Sequence, residues 1–176
     1  RFVEDKEFLK ASFDLGISFD DGIRELVDNA LDADAKNIWV QAVVNDGNVR
    51  MIVADDGHGI QDTFTEGEET YEGIPYVMAF GGRTELPFNQ NNTRRIGRFG
   101  YGLSQTITCL AREHGYAEVW TRNKGNDEWR RSFYRYTDLV EHECRLPPED
   151  KGKSPPFIPP GAAEHGTIIA IDLESS

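Results

Sequence analysis

The chain has 176 residues, of which 38% are hydrophobic and 28% are charged, and its formal net charge at pH 7 is −12. These values indicate one soluble globular domain with its own core rather than a disordered segment. The acidic balance disfavours a broad nucleic-acid-binding surface, and no apolar run approaches the roughly 20 residues of a membrane-spanning helix.

Neither the start of the chain nor the spacing of the two cysteines is typical of a secreted protein. The sequence begins with Arg1 rather than Met and has no visible signal peptide, so we expect a piece of a longer protein. Cys109 and Cys144 lack CxxC spacing, which favours free thiols in the cytoplasm or nucleus. For residues 1–17 a short helix, an extended arm and a strap all remain open.

The first clear element is an amphipathic helix. Ser18 is its expected N-cap, with an acid at the third helical position. Apolar residues then recur with helical spacing and predict one buried face: Ile23, Leu26, Val27, Ala30 and Leu31. By the same period, polar side chains fall on the opposite face: Glu25, Asn29 and Asp32.

A β-hairpin is expected next. Two β-rich runs, Lys36 to Val44 and Asn48 to Ala54, flank the turn signal Asn45-Asp46-Gly47.

The middle of the chain is polar and predicts few regular elements. Residues 61–96 are rich in acids, Gly and Asn, with a short helix expected near Ile74 to Phe80, and a segment this long is functional or mobile.

A second helix is expected from Leu103 to Gly115. Residues 145–163 are expected to form a loop. Three further strands are expected at 117–122, 129–136 and 167–173. Helices among mostly hairpin-linked strands predict an α+β two-layer sandwich.

Glu25 and Asn29 lie one helical turn apart and are therefore neighbours on the helix surface. A carboxylate there can accept a proton from water and orient that water for attack on a γ-phosphate. A carboxamide oxygen one turn later is a neutral ligand suited to Mg²⁺. An isolated pair of this kind is more often an ordinary solvated face, so its meaning depends on the motifs found later in the chain.

Two glycine motifs come after this helix, in order. Asp55-Asp56-Gly57-His58-Gly59 stands directly after a strand, where a carboxylate can accept a hydrogen bond from an adenine amino group and glycines let the backbone approach the base. Gly97-Arg98-Phe99-Gly100-Tyr101-Gly102 precedes the second helix, where backbone N–H groups and the helix dipole suit phosphates. Late in the chain, Thr167 opens the final strand and can offer its hydroxyl to the base, directly or through water.

In this order, the motifs resemble the nucleotide site of the GHKL (Bergerat-fold) ATPases over roughly residues 18–173. The run Asp28–Ala33 is closer to MutL, topoisomerases, heat-shock chaperones and MORC proteins than to histidine kinases, and Ile96–Leu103 looks most like MORC proteins. The resemblance implies a mixed, mostly antiparallel sheet with helices on one face, ATP and Mg²⁺ as ligands, a domain over 18–176 and an ATP lid at about 61–102.

The resemblance also implies residue roles. Glu25 would be the general base and Asn29 the Mg²⁺ ligand. The residues that contact the adenine base of the nucleotide would be Asp55, Gly57, Gly59, Ile60 and Thr167. Residues at the phosphates would be Arg83, Gly97, Arg98, Phe99, Gly100, Tyr101, Gly102 and Leu103.

The expected activity is Mg-dependent ATP hydrolysis that drives a conformational or dimerisation switch, with an ATP-dependent homodimer as partner and DNA contact through other regions of a longer protein. No membrane partner is expected. Many hydrolytic relatives use a lysine from a following transducer domain, and this chain ends at Ser176, so turnover by this piece alone stays open. The alternatives are a histidine-kinase catalytic domain, which needs an upstream phosphoacceptor His, and a nucleotide-binding scaffold without turnover.

Overall fold

The computed structural model describes residues 16–78, 103–135, 137, 149–155, 157–158 and 164–173. Within these ranges the chain forms three helices: α1 (Phe19–Asp32), α2 (Gly73–Met78) and α3 (Leu103–Ala111). The strands in the same ranges are β1 (Ile38–Asn45), β2 (Asn48–Asp55), β3 (Thr63–Glu66), β4 (Glu69–Glu72), β5 (Tyr116–Arg122), β6 (Arg130–Arg135), β7 (Asp150–Lys151) and β8 (Gly166–Asp172).

Six of these strands form one sheet in the order β1-β2-β8-β5-β6-β7, with antiparallel pairing between neighbours. The strands β3 and β4 form a separate two-stranded hairpin. The last strand in the chain, β8, therefore lies in the centre of the sheet between β2 and β5. Buried residues of all three helices pack in one cluster with one face of this sheet, which confirms the predicted α+β two-layer sandwich.

Helix α1 begins where the sequence predicts. The Ser18 hydroxyl accepts a hydrogen bond from the Asp21 backbone N–H at 3.1 Å and donates to the Asp21 carboxylate at 2.8 Å, which caps the free N–H groups of the first turn. The predicted faces of the helix are only partly right. Leu31, expected in the core, is 42% exposed, whereas Glu25, expected on the polar face, is buried.

The hairpin of β1 and β2 is confirmed, although β1 begins at Ile38 rather than Lys36 and each strand ends one residue later than predicted. Asn45 pairs with Asn48, and the two residues between them, Asp46 and Gly47, have positive φ angles of 50° and 80°. Two such residues form the type I′ turn, whose twist matches the twist of the flanking strands.

The core has two layers, one on each face of the sheet. On the helix-bearing face, Val53, Ile169 and Val119 are aligned across β2, β8 and β5, and they pack with Leu26 and Ile107 from the helices. On the opposite face the aligned residues are Ala54, Ile168 and Trp120. Partly buried aromatic side chains cover this second cluster: Trp39 and Phe157. Burial of apolar surface at about 25 cal/mol per Å² makes these layers the main stabilising contribution to the fold.

Several predicted boundaries differ from the structure. Helix α3 ends at Ala111 rather than at Gly115, because Arg112 adopts a left-handed conformation with φ of 62° that cannot continue a right-handed helix. The β3–β4 hairpin lies in the segment expected to be the lid, and β7 lies in the expected loop. These short strands carry no strong alternation of apolar and polar residues, so their pairing was not visible in the sequence. No helix in the described part of the chain has the length and apolarity that crossing a lipid bilayer requires.

Gly166 lets the start of β8 approach the end of β2. Its φ is +141°, and an added Cβ atom would overlap the carbonyl oxygen of Asp55, which is backbone and has little freedom to move. Only glycine therefore allows the pairing that places Thr167 opposite Asp55.

We expect Gly166→Ala to lower the free energy of unfolding by about 3 kcal/mol or more, because φ strain and steric overlap act together. Gly125→Ala is the matched control, since Gly125 also has positive φ (+92°) but has no atom within 4 Å of an added Cβ. The control isolates the φ strain, at about 1–2 kcal/mol. Urea unfolding measures both variants, and equal losses would contradict the proposed close approach.

Candidate functional site

The candidate site is built on one end of the sheet, where the turn after β2 lies against α1, β5 and β8. The His58 N–H donates to the carbonyl oxygen of Ala33 at the end of α1 (3.0 Å), and the Lys124 N–H donates to the carbonyl oxygen of His58 (3.1 Å). These backbone bonds hold the turn of residues 55–60 between the helix and the loop that follows β5. The helix motif that ends at Ala33 and the Asp55–Gly59 motif are thus joined directly by a hydrogen bond.

Glu25 is the buried acid of α1. Its side chain is 3% exposed, and its Oε1 atom has no hydrogen-bond partner in the described part of the chain. Burial raises the pKa of Glu25, and the negative charges of Asp28, Asp32 and Asp21 raise it further. A buried, unpartnered carboxyl group with a raised pKa is the environment in which enzymes keep a general base.

Asn29 lies one turn further along α1 and is exposed. The structure therefore separates the pair by environment: Glu25 is desolvated while Asn29 is open to solvent. An open carboxamide remains free to take a ligand, which a buried one would not be.

Asp55 is the buried acid of the turn. Its Oδ1 atom accepts a hydrogen bond from the Gly57 N–H at 2.8 Å. Burial raises the pKa of Asp55 to about 6, against the opposing effect of hydrogen bonds from the Gly57 and Thr167 backbones. At neutral pH the carboxylate is ionised and acts as an acceptor of hydrogen bonds.

Asp56, one residue later, has a structural task that the sequence did not reveal. Its carboxylate accepts hydrogen bonds from the backbone N–H groups of Lys36 and Asn37 (2.7 and 2.8 Å) and from Asn37 Nδ2 (2.9 Å). Desolvation works against ionisation, but the hydrogen bonds from Asn37 and Lys36 outweigh it and lower the pKa of Asp56. The charge thus fixes the connection between α1 and β1.

The glycines of the motif are required by close packing. A Cβ atom on Gly57 would lie 2.6 Å from the carbonyl oxygen of Ala33, and one on Gly59, whose φ is +76°, would overlap the carbonyl oxygen of Arg122. Gly57 therefore allows the turn to contact α1, and Gly59 allows it to contact β5. Ile60 comes next, half-buried, with its backbone N–H bonded to Thr121 Oγ1 at 2.8 Å.

Thr167 lies beside Asp55, as its cross-strand partner on the helix-bearing face. Its Oγ1 is 3.1 Å from the hydroxyl of the fully buried Thr121, a residue that sequence reasoning missed. A threonine in a strand is usually explained by β propensity alone, so nothing in the sequence marked Thr121.

A buried ion pair, also missed in the sequence, supports the turn. Arg130 Nη1 donates to both carboxylate oxygens of Glu149 at 3.0 and 3.2 Å, and Arg130 Nη2 donates to the carbonyl oxygen of Ile60. Glu149 also accepts the Ile74 N–H at the start of α2 (2.7 Å). The pair joins β6, the turn and α2, and it was not visible in the sequence because its two residues are 19 positions apart.

The other predicted site residues lie outside the described residues: Arg83, Gly97, Arg98, Phe99, Gly100, Tyr101 and Gly102. Leu103 is described and begins α3, where it packs, partly buried, against the helix-side core.

Residues 18–151 match the model of a family described as "Histidine kinase-, DNA gyrase B-, and HSP90-like ATPase". The matched region covers more than half of the chain and contains Glu25, Asn29 and the Asp55–Ile60 turn. The chain belongs to this family of GHKL-type ATPases. No curated protein matches it.

Family membership identifies the chain as an ATP-binding domain of an ATP-using enzyme family. The family match begins at Ser18, the N-cap of α1, and ends at Lys151 in β7. Thr167 lies beyond the matched region, and the pairing of β8 with β2 places it opposite Asp55.

The two adjacent acids predict opposite effects on stability. The pKa of Asp55 is raised from its ordinary value of 3.8 to about 6. Its contribution to stability is therefore fully present below pH 3.8 and is lost as the pH rises through about 6. Asp55→Asn removes the ionisation and keeps an oxygen for the Gly57 N–H. We expect it to raise the free energy of unfolding at about pH 7.5 by up to about 3 kcal/mol, and by much less at about pH 4.5, in urea unfolding.

Asp56→Asn is the matched control. The lowered pKa of Asp56 means that its charge contributes stability above the ordinary pKa, and this contribution is lost as pH falls. The variant should therefore be less stable than the unmodified protein at neutral pH, and the difference should shrink in acid. Shifts of the same sign for both variants would contradict the assigned environments.

Proposed function

We propose that this chain binds Mg-ATP at the end of α1 and hydrolyses it, with Glu25 as the general base. The observation that carries the proposal is the buried Glu25 carboxyl group, whose Oε1 has no partner in the described part of the chain and whose pKa is raised by burial. A purely structural acid would be satisfied by hydrogen bonds, as Asp56 is. A base that accepts a proton from water needs a free oxygen and a raised pKa.

The base of the nucleotide is proposed to lie against the turn of residues 55–60. An ionised Asp55 accepts a hydrogen bond from the 6-amino group of adenine. Gly57 and Gly59 keep the backbone close, while Ile60 and Thr167 line the pocket. The tight backbone contacts of the turn support this assignment, because they fix the carboxylate before the nucleotide arrives.

Asn29 is the proposed Mg²⁺ ligand. Among the described residues, no three His, Cys, Asp or Glu side chains cluster in a way that would hold a metal ion. A single exposed amide oxygen fits Mg²⁺, which commonly takes one or two protein ligands and completes its shell with phosphates and water. When bound, the ion would neutralise charge on the phosphates.

The phosphate-binding residues are proposed from the family resemblance. They are Arg83, Gly97, Arg98, Phe99, Gly100, Tyr101, Gly102 and Leu103. We propose that a lid at about 61–102 orders on ATP, that the ordered lid favours a homodimer, and that hydrolysis resets it. Within the range of the proposed lid, the described residues form the β3–β4 hairpin and α2.

The subfamily and the client are also proposals. The run Ile96–Leu103 is most like that of MORC proteins, which favours work on DNA or chromatin. With a net charge of −12, DNA contact would fall to other regions of a longer protein or to a channel enclosed by a dimer.

A histidine-kinase catalytic domain is the second candidate, since the matching family includes histidine kinases. Incubation with ATP labelled at the γ-phosphate separates the two. Free labelled phosphate is expected for an ATPase, whereas label transferred to a histidine-containing protein would favour the kinase. ATP binding without either product would favour a scaffold.

For Glu25→Gln, we expect ATP affinity to stay within about threefold of that of the unmodified chain, and phosphate release to fall by about 100-fold or more, because general-base catalysis contributes on this scale. The variant should also unfold at a higher urea concentration at neutral pH, because burial and the charges of Asp28, Asp32 and Asp21 raise the pKa of Glu25, and a raised pKa lowers stability as pH rises.

Glu113→Gln is the control, because Glu113 is exposed on the turn after α3. It should change neither phosphate release nor stability. Full turnover by Glu25→Gln would contradict the base assignment.

Asn29→Ala should remove the dependence of ATP affinity on Mg²⁺. Calorimetric titrations measure the affinity for ATP with Mg²⁺ present and with a chelator. The gain in ATP affinity that Mg²⁺ gives the unmodified chain should disappear in the variant, because one oxygen ligand is lost. Asn48→Ala, at an exposed position at the opposite end of β2, should keep the gain. An unchanged gain in Asn29→Ala would contradict the ligand role.

A further inference from the structure

We infer that Thr121 is a positioning residue that turns the Thr167 hydroxyl into a hydrogen-bond acceptor and so helps the site select a 6-amino purine over a 6-oxo purine. This inference rests on the proposed function of the same site. Nothing in the family match assigns a role to Thr121, and the inference comes from the hydrogen bonds around its side chain.

Thr121 Oγ1 meets three groups. The Ile60 N–H donates to it at 2.8 Å, the carbonyl oxygen of Gly166 lies 3.1 Å away, and Thr167 Oγ1 also lies 3.1 Å away. Thr121 has no exposed surface, so water cannot replace any of these partners. A buried polar group that is left unpaired costs about 1–3 kcal/mol.

The number of protons and lone pairs on Thr121 Oγ1 selects one arrangement of the hydrogen bonds around it. A hydroxyl has one proton and two acceptor lone pairs. The Ile60 N–H can only donate, and the Gly166 carbonyl can only accept. If Thr121 gives its proton to Gly166, it can accept from both Ile60 and Thr167, and all three contacts are satisfied. If Thr121 donates to Thr167 instead, its second lone pair is empty and its contact with Gly166 is lost.

In the satisfied arrangement the Thr167 proton points inward, toward Thr121. The Thr167 hydroxyl then presents only lone pairs to the site. Asp55, its cross-strand neighbour on the same face, is also an acceptor when ionised. Directly opposed residues of an antiparallel pair have Cβ atoms about 5 Å apart, so the two acceptors are near enough to share one ligand group.

Two adjacent acceptors suit a group with two N–H donors. The 6-amino group of adenine has two, whereas the 6-oxo group of hypoxanthine or guanine has none and would face two electron-rich oxygens. Sites that leave polar groups unpaired with the wrong ligand discriminate strongly. Thr121 contributes by setting the direction of the Thr167 proton, without contact to the base.

Arg130 should hold the turn in place when Thr121 is substituted, because it binds the turn independently of Thr121. Thr121 and Arg130 are cross-strand partners, and Arg130 Nη2 donates to the Ile60 carbonyl oxygen while Thr121 accepts from the Ile60 N–H. The salt bridge to Glu149 holds Arg130 in place at 3.0 Å. Loss of the Thr121 hydroxyl should therefore leave the turn in place, while the Ile60 N–H, the Gly166 carbonyl oxygen and the Thr167 hydroxyl each lose one hydrogen-bond partner.

The test compares the affinities of the chain for ATP and for inosine triphosphate, which carries the 6-oxo group. Thr121→Val keeps the side-chain shape and removes the hydroxyl, which frees the Thr167 proton to donate to a 6-oxo oxygen. We expect the preference for ATP to narrow by about fivefold to tenfold, the effect of about one hydrogen bond. Thr121→Ser restores the hydroxyl and should restore the preference.

Thr106→Val is the matched control. Thr106 is fully buried in α3, and its hydroxyl has no hydrogen-bond partner in the described part of the chain. This variant should leave the preference unchanged. An unaltered preference in Thr121→Val, or an equal narrowing in Thr106→Val, would overturn the inference while leaving ATP binding as proposed.

Two further measurements separate this inference from the proposed function. Amide hydrogen exchange at Ile60 should be faster in Thr121→Val without any nucleotide, and an unchanged rate would overturn the role of Thr121 even if the chain bound no ATP. In the unmodified chain, N6-methyl-ATP keeps one N–H and should bind about fivefold more weakly than ATP. Equal binding would overturn the pair of acceptors, and this result does not depend on the folding of a variant.

Discussion

The register of β2, β8 and β5 is the constraint on which the site depends. It aligns Asp55, Thr167 and Thr121 across three neighbouring strands on the helix-bearing face. A slip of one residue would turn each of these side chains to the opposite face, among the tryptophans of the second core. The alignment requires β8 to start directly beside the Asp55 backbone, which only Gly166 permits.

The site keeps ionisable groups where they do not stabilise the fold. Glu25 and Asp55 both have raised pKa values because burial disfavours their charged forms. A charge that does stabilise the fold is satisfied: the Asp56 carboxylate accepts hydrogen bonds from three donors. This contrast within one small region is expected where a few residues are kept for chemistry at a cost in stability.

The same region connects the turn to the elements that come after it. Arg130 and Glu149 bind the carbonyl oxygen of Ile60 and the N–H of Ile74, so the turn and the start of α2 are held by one ion pair. Because removal of Arg130 would leave the buried Glu149 carboxylate without its ion-pair partner, β6, the turn and the start of α2 are expected to behave as one unit.

The sequence by itself determined the local elements and the types of chemical group. The Ser18 cap, the Asp46-Gly47 turn and the order of helix and strands were readable because capping and turn formation depend on neighbours within a few residues. Glu25, Asn29 and Asp55 were singled out because their spacing and order resemble a known family, and their roles stay predictions. The β3–β4 hairpin and β7 were not readable, since short strands are decided by pairing rather than by pattern.

Only the tertiary structure decided which polar groups are buried and which are paired. Helical period placed Glu25 with Asn29 on one polar face, but packing buried the first and left the second exposed. Thr121, Arg130 and Glu149 look ordinary in the sequence because their partners are far along the chain. Desolvation and long-range hydrogen bonds exist only once the strands are assembled, and these two effects set the pKa of Asp55 and the direction of the Thr167 hydroxyl.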